Sequence, residues 1–412
     1  MKAFLIKASL FINYFVFAIL LNSVGAVMLQ LQRNLDLTEG GVSVLEGFKD
    51  IPIALASFFV ASFLPRIGLK RGMMIGMGVM ALMCLGMPLV ADSFWHFKLL
   101  FATTGIMFAV IKISVFATIG LVTEGEREHS SLMSWIEGFF MIGVLSGNLI
   151  ISAFIDDLNP KSMEWLNVYW VLGVLCLIAL VLMLFSSLDE SAAQKPSNTL
   201  GDDFMDMLKL ISKILVIVFI LSAFLFVLIE QSFQTWMPTF YTKIIKVPAS
   251  MSIQAASILA GAFALGRILA GFVLKKVKWL YFLEICLLLL AACVIINLPL
   301  ARAANVGTDI NWFNAPFIVY VFPLMGLFLA PIYPTINSVI LSHIPKYLHS
   351  SMSGLIVVFS ALGGTLGSII TGNLFSHFDG ATAFYMSLIP ISLLAIALLF
   401  LHRLFKSNPY KE

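Results

Sequence analysis

The 412 residues are 60% hydrophobic and 11% charged, with a mean hydropathy of +1.00 and a formal net charge of +3. So few charges exclude a water-soluble surface, and the small positive balance offers no electrostatic footprint for nucleic acid. At roughly 20 apolar residues per crossing, the length holds about twelve membrane spans and leaves little for a soluble domain.

Met1-Lys2-Ala3-Phe4-Leu5-Ile6-Lys7 runs into the first apolar stretch without a small-residue cleavage site, which reads as a retained helix rather than a signal peptide. Hydropathy, with polar interruptions read as loops, predicts spans 1 to 6 near residues 9–31, 42–65, 72–91, 98–122, 132–155 and 166–187. A polar stretch with Asp189, Glu190, Lys195, Pro196, Gly201, Asp202 and Asp203 reads as a solvated linker. Spans 7 to 12 follow near residues 210–236, 250–274, 279–299, 314–341, 351–375 and 382–404. The expectation is an all-α membrane protein with about twelve transmembrane helices in two six-helix bundles, 1–187 and 210–412, joined by a linker at 188–209. A basic turn follows the second span of each half, Arg66 to Arg71 and Lys275 to Lys278, as expected of a transporter built from repeats.

Of the 25 basic residues, sixteen fall on the side of the termini and linker, and six on the other: Arg33, Lys98, Lys161, Lys243, Lys246 and Arg302. Basic residues are retained in the cytoplasm, so both termini and the linker are expected there, in a bacterial-type inner membrane. Cys84, Cys176, Cys286 and Cys293 sit in apolar runs, where they pack as small hydrophobes. The six histidines lack ligand spacing or a partnered nucleophile. Neither catalysis nor a metal nor a cofactor is expected.

An ionisable group at the centre of a span costs about 2.5–3.5 kcal/mol on insertion scales, so each one calls for a partner or a water-filled cavity. Lys112 lies near the middle of span 4, where it binds an anionic group of a solute, forms a switchable pair with Glu137 or Glu46, or holds helices together in a permanent ion pair. Glu46, Lys49 and Asp50 share one face of span 2 at i, i+3 and i+4. They read equally as a solvated mouth or as a coupling site; a deep Asp50 becomes a proton carrier. Glu230, Gln231, Gln234 and Trp236 on span 7 form a polar and aromatic stretch that suits recognition of a polar solute with an apolar face. The competing reading is a helix end dissolving into a loop. Tyr333 and Asn337 are i, i+4 on span 10 and either face the same cavity or serve bending near Pro331 and Pro334. Arg267 reads as structural, and Glu284 is expected to meet it or nearby lysines.

The stretch Ala61-Ser62-Phe63-Leu64-Pro65-Arg66-Ile67-Gly68-Leu69-Lys70-Arg71 resembles the loop signature of the major facilitator superfamily, keeping its Arg, Gly and basic pair. It departs from that signature at Ala61, where the pattern has Gly, and at Pro65, where it has Asp. Gly143-x-x-x-Gly147 is similar to the close-packing stretch of span 5 in that superfamily. Tyr333-Pro334-Thr335-Ile336-Asn337-Ser338, Gly363-Gly364 and Leu20 to Lys70 resemble its fucose permease branch. The resemblance implies rocker-switch alternating access, commonly with proton symport of a sugar. It also implies cavity positions at Asn22, Lys112 and Glu137, and a gating role for Arg66. Gly25 and Lys112 stand where the branch has acidic residues, so fucose is not the expected solute.

Together these readings predict a monomeric secondary transporter of a small polar or anionic solute in the lipid bilayer. Protons are the expected coupling ion, carried by one or more of Glu46, Asp50, Glu137 and Glu230. An exporter of an amphipathic metabolite or siderophore, and a non-transporting sensor or assembly partner, are the alternatives.

Overall fold

The computed structural model describes residues 2–122, 126–190, 211–274, 276–304, 310–343 and 349–406. Within these helices the side chains of Pro65, Arg66, 126–131 and Glu137, among others, lie outside the described residues. The chain divides into two compact units: Met1–Asp36 with Phe48–Leu200, and Leu37–Gly47 with Gly201–Glu412.

In the first unit, span 1 consists of two helices, Lys2–Asn22 and Val24–Leu35, broken at Ser23. The Ser23 hydroxyl donates to the Leu20 carbonyl at 2.7 Å, satisfying an acceptor freed at the break. Span 2 is Val44–Ile67 and span 3 is Leu69–Val90. The single residue between them, Gly68, has φ of +99°, a conformation that side-chain-bearing residues rarely adopt. Spans 4 and 5 are Phe94–Val122 and Glu126–Ser152, and span 6 is Val168–Phe185, entered through a 3₁₀ turn at Glu164–Asn167. Spans 1 and 5 begin several residues before the hydropathy boundaries. The residues before the hydropathy boundaries, Lys2 to Ala8 and Glu126 to Ser131, continue each helix toward its start.

In the second unit, span 7 is Ile214–Phe240, continued by a π turn at Tyr241–Ile245. Spans 8 and 9 are Ala249–Val273 and Trp279–Ala303. Span 10 is segmented into Ile318–Val321, a 3₁₀ turn Phe322–Met325, Gly326–Leu329 and Ile332–His343. The 3₁₀ turn includes Pro323, and the last break falls at Pro331; proline lacks the N–H that would continue each ladder. Span 11 is His349–His377, and span 12 runs as Gly380–Tyr385 and Leu388–Lys406. Leu37–Gly47 packs within this unit. Glu39 pairs with Lys243, the Gly40 N–H donates to Ser376 Oγ at 2.8 Å, and Ser368 Oγ donates to the Ser43 carbonyl at 3.3 Å.

Both units use glycine to bring the same two spans together. A Cβ on Gly143 would lie 2.7 Å from the Phe15 carbonyl oxygen, so span 5 rests backbone-close on span 1. A Cβ on Gly363 or Gly367 would lie 2.4 or 2.5 Å from the carbonyls of Phe224 or Leu228, so span 11 does the same to span 7. Small residues are how membrane helices gain packing when no hydrophobic drive separates them from lipid.

Among the described residues, ten helices are long and apolar enough to cross a membrane, and Gly138–Ser152 is a shorter apolar helix. Val44–Ile67 has the length, 24 residues or about 36 Å, but carries Glu46, Lys49, Asp50 and Arg66. Leucines such as Leu82 and Leu89 are more than 70% exposed, a pattern that suits lipid and not water. The protein is thus an all-α, multi-pass membrane protein of about twelve spans, as composition and periodicity predict.

Candidate solute-binding site

In the first unit the functional candidate is Lys112. Its side chain is exposed and its Nζ lies 5.8 Å from the ring centroids of both Phe108 and Phe116, one helical turn to either side. Those rings belong to a cluster that draws in span 1 through Tyr14, 6.4 and 6.0 Å away, and span 5 through Phe140, 5.6 Å from Tyr14. Lys112 therefore lies on the face of span 4 that meets spans 1 and 5. A cation over aromatic faces gains about 0.5–2 kcal/mol, against about 2.5–3.5 for placing it mid-membrane. Rings alone do not hold a charge at this depth; water or a counter-charge completes its surroundings.

Asn22 closes the first helix of span 1 and donates to the Ala18 carbonyl at 2.9 Å, so its amide serves the helix end. Lys49 and Asp50 are both buried and lie 3.4 Å apart, with Lys49 Nζ also 3.4 Å from the Leu21 carbonyl. They form a neutralised pair within the unit. Arg66 and Glu137, as side chains, lie outside the described residues.

The second unit holds two polar stripes on span 7, each set by i, i+4 spacing. On one, Gln231 Nε2 and Thr235 Oγ1 donate to Glu46 at 2.6 and 3.1 Å, and Glu46 is wholly buried. On the next, Gln234 Nε2 donates to Glu230 at 3.2 Å, and both side chains are half-buried. Tyr333 stands near Glu230 and Asn337, shares a hydrogen bond of 3.1 Å with Ser360, and stacks on Phe226 at 5.6 Å. Asn337 Oδ1 is buried and accepts no hydrogen bond among the described residues.

Trp236 departs from its expected role. It is wholly buried, its Nε1 donates to the Ser368 carbonyl at 3.1 Å, and its ring stacks on Phe375 at 5.3 Å. It offers no surface to a solute and acts in packing span 7 against span 11. Glu284 also departs: among the described residues it pairs with neither Arg267 nor a lysine, and its Oε1 has no hydrogen-bond partner. Thr235, Ser360 and Phe226 complete the stripes without having been singled out. Thr235 had a signal, its i+4 spacing from Gln231; Ser360 had none within its own span.

An α-helical bundle of this span number, with ionisable and polar groups gathered inside its spans, has the build of a membrane transporter. The family model of the Major Facilitator Superfamily matches residues 10–368, and the chain belongs to that superfamily. It is 22% identical over 364 residues to a protein described as a TsgA homolog from Buchnera aphidicola subsp. Baizongia pistaciae (strain Bp), covering 87% of this chain and 85% of that one. Among solved structures it is similar to the nucleoside transporter NupG, with a TM-score of 0.75, 14% identity, and coverage of 98% of this chain and 100% of that one. It is likewise similar to a D-xylose-proton symporter, with a TM-score of 0.73, 13% identity, and full coverage of both chains. A bacterial homolog of the human lysosomal transporter Spinster aligns with a TM-score of 0.74 at 14% identity, over 99% of this chain and 97% of that one. At such identities the likeness is one of fold. The chain is a membrane transporter of small molecules and not an enzyme.

Proposed function

We propose that the chain is a proton-coupled secondary transporter that moves a small polar or anionic solute across a bacterial-type inner membrane by alternating access. In this reading it works as a monomer with both termini in the cytoplasm, the sidedness that its basic residues favour. The observation that carries the solute class is Lys112, an exposed cation in the middle of an apolar span beside the rings of Phe108 and Phe116. An anionic group on an apolar or aromatic body would meet both the charge and the ring faces.

Coupling is assigned first to Glu46, with Asp50, Glu137 and Glu230 as further carriers. Protonating Glu46 would weaken its charge-assisted hydrogen bonds from Gln231 and Thr235. The bonds holding that end of the Val44–Ile67 helix would loosen, and a change of state would follow. The D-xylose-proton symporter to which the chain is similar makes proton coupling a reasonable starting point, without bearing on the solute.

The test is reconstitution in liposomes, with uptake of organic acids, sugars and amino acids followed with and without an imposed pH gradient. Gradient-driven accumulation of an anion, lost in Lys112→Gln, supports the proposal. Full transport with unchanged preference in Lys112→Gln overturns the role of Lys112. Accumulation of a neutral sugar returns the chain to the fucose permease pattern, and silence across the screen favours export or sensing.

A further inference from the structure

The beginning of span 4 carries a feature unused by the transport reading. Phe48, Trp95, His96, Lys98, Leu99 and Ala102 line an open groove of about 360 Å³ on the first unit. At its head, Lys98 Nζ lies 4.6 Å from the ring centroid of Phe94, 4.9 Å from that of Trp95 and 5.3 Å from that of Phe48. Phe48 and Trp95 meet edge to face at 6.3 Å, so the ammonium sits within a collar of rings. Among the described residues no carboxylate pairs with Lys98. The nearby acid, Asp92, lies 3.3 Å from His96 Nδ1, which also meets Ser93 Oγ at 3.0 Å.

Depth gives the groove its meaning. Span 4 has 29 residues, or about 43 Å at 1.5 Å each. That exceeds the roughly 30 Å hydrocarbon core and reaches into the headgroup layers. With that helix centred on the bilayer, Lys98, four residues from its start, falls near headgroup level, and Leu99 and Ala102 follow toward the hydrocarbon. Trp95 is 68% and Leu99 56% exposed, so the groove opens sideways and is not enclosed around a soluble molecule. A cation at the head of an open apolar groove that runs from headgroup to acyl depth is complementary to one class of molecule.

We propose that this groove binds an anionic glycerophospholipid, with its phosphodiester at Lys98 and an acyl chain along Trp95, Leu99 and Ala102. A phosphodiester gains a charge-assisted partner there. A choline headgroup would bring its own cation beside Lys98 and gain less. The collar of rings orients the ammonium and keeps its charge from being fully solvated, which strengthens its attraction for the phosphate.

The experiment uses the full chain in detergent, with lipid retention measured by native mass spectrometry against phosphatidylglycerol and phosphatidylcholine. Wild type is expected to retain phosphatidylglycerol about five-fold better, the scale of one basic residue at an anionic surface. Lys98→Gln is expected to erase that preference. Ala102→Trp, which fills the groove and keeps the charge, is expected to reduce retention of phosphatidylglycerol. Equal retention of the two lipids by wild type overturns the proposal, as does an undiminished preference in Lys98→Gln. If Lys98→Gln does not purify folded, Ala102→Trp decides alone: reduced retention supports the groove and unchanged retention overturns it. Displacement of the lipid by soluble glycerol phosphate at equal concentration would overturn the assignment to lipid.

Discussion

The two units share a skeleton and differ in what fills it. Span 5 lies on span 1 through Gly143, and span 11 lies on span 7 through Gly363 and Gly367, each with carbonyls where a Cβ would be. Around that common frame, the first unit sets Lys112 beside aromatic rings, whereas the second holds Glu46 and Glu230 in hydrogen bonds from Gln231, Thr235 and Gln234. The lesson is a division of labour. Backbone-close packing carries the fold in both units, hydrogen bonds across span 7 fix Glu46 and Glu230 in the second, and the first places a cation against aromatic rings. Each part of that contrast can be broken separately.

The skeleton should give the largest effect. Gly143→Leu and Gly363→Leu each force a side chain into space occupied by a neighbouring helix backbone, which cannot move aside as a side chain can. Overpacking costs typically 1–3 kcal/mol where side chains can adjust, so about 3 or more is expected here. Both variants should fail to reach a monodisperse folded state in detergent, as read by size-exclusion chromatography. If one folds normally and the other does not, the two units do not share their load-carrying contact.

The network comes second. Glu46→Leu leaves the Gln231 amide and the Thr235 hydroxyl without their buried acceptor, at about 1–3 kcal/mol. Glu46→Gln keeps one acceptor oxygen and should cost about half as much. Denaturant unfolding in detergent separates them, and equal stability of both variants with wild type would remove Glu46 from the network's energetics. Lys112→Gln is the counterpart in the first unit. Transport should fall at least about ten-fold, equivalent to about 1.4 kcal/mol, while unfolding is unchanged or shifts toward greater stability. A large loss of stability instead would make Lys112 a structural cation and dissolve the contrast.

The spans were legible from sequence because polar clusters punctuate apolar runs, and helix ends followed that punctuation to within several residues. The depth of Lys112 in span 4 was legible too, but the rings of Phe108 and Phe116 beside it emerged only with the structure. What stayed hidden depends on distance in the chain. Trp236 reads as an interfacial residue until Ser368 and Phe375 from span 11 close over it. Glu46 reads as one of three charges on a helix face until Gln231 and Thr235, some 185 residues later, bond to it. At the turn after span 2, Pro65 stands where the superfamily pattern has an acid. The structure brings a carboxylate to that turn from elsewhere: Glu190 accepts from the N–H groups of Leu69 and Lys70 at 2.7 and 2.9 Å. That carboxylate satisfies two orphan donors at the start of span 3, and no local pattern links residue 190 to residue 69.

The smallest effect is expected at an exposed pair in the second unit. Asp379 caps the helix Gly380–Tyr385, accepting from the Thr382 N–H at 2.7 Å, and pairs with Arg302. Hydrogen bonding from Thr382 first, and then Arg302, holds its carboxyl below the ordinary aspartate range. A depressed folded-state value stabilises above the unfolded value of about 3.9, and that stabilisation is lost as pH falls through the folded value. Asp379 is about half exposed, so solvent screening limits the effect to at most about 0.5 kcal/mol. Asp379→Asn keeps a capping oxygen and removes the charge. Its unfolding midpoint should sit slightly below wild type at pH 7 and converge with it below about pH 4. A difference that widens toward acid would mean that the charge opposes the fold at this position, reversing the sign of the pair.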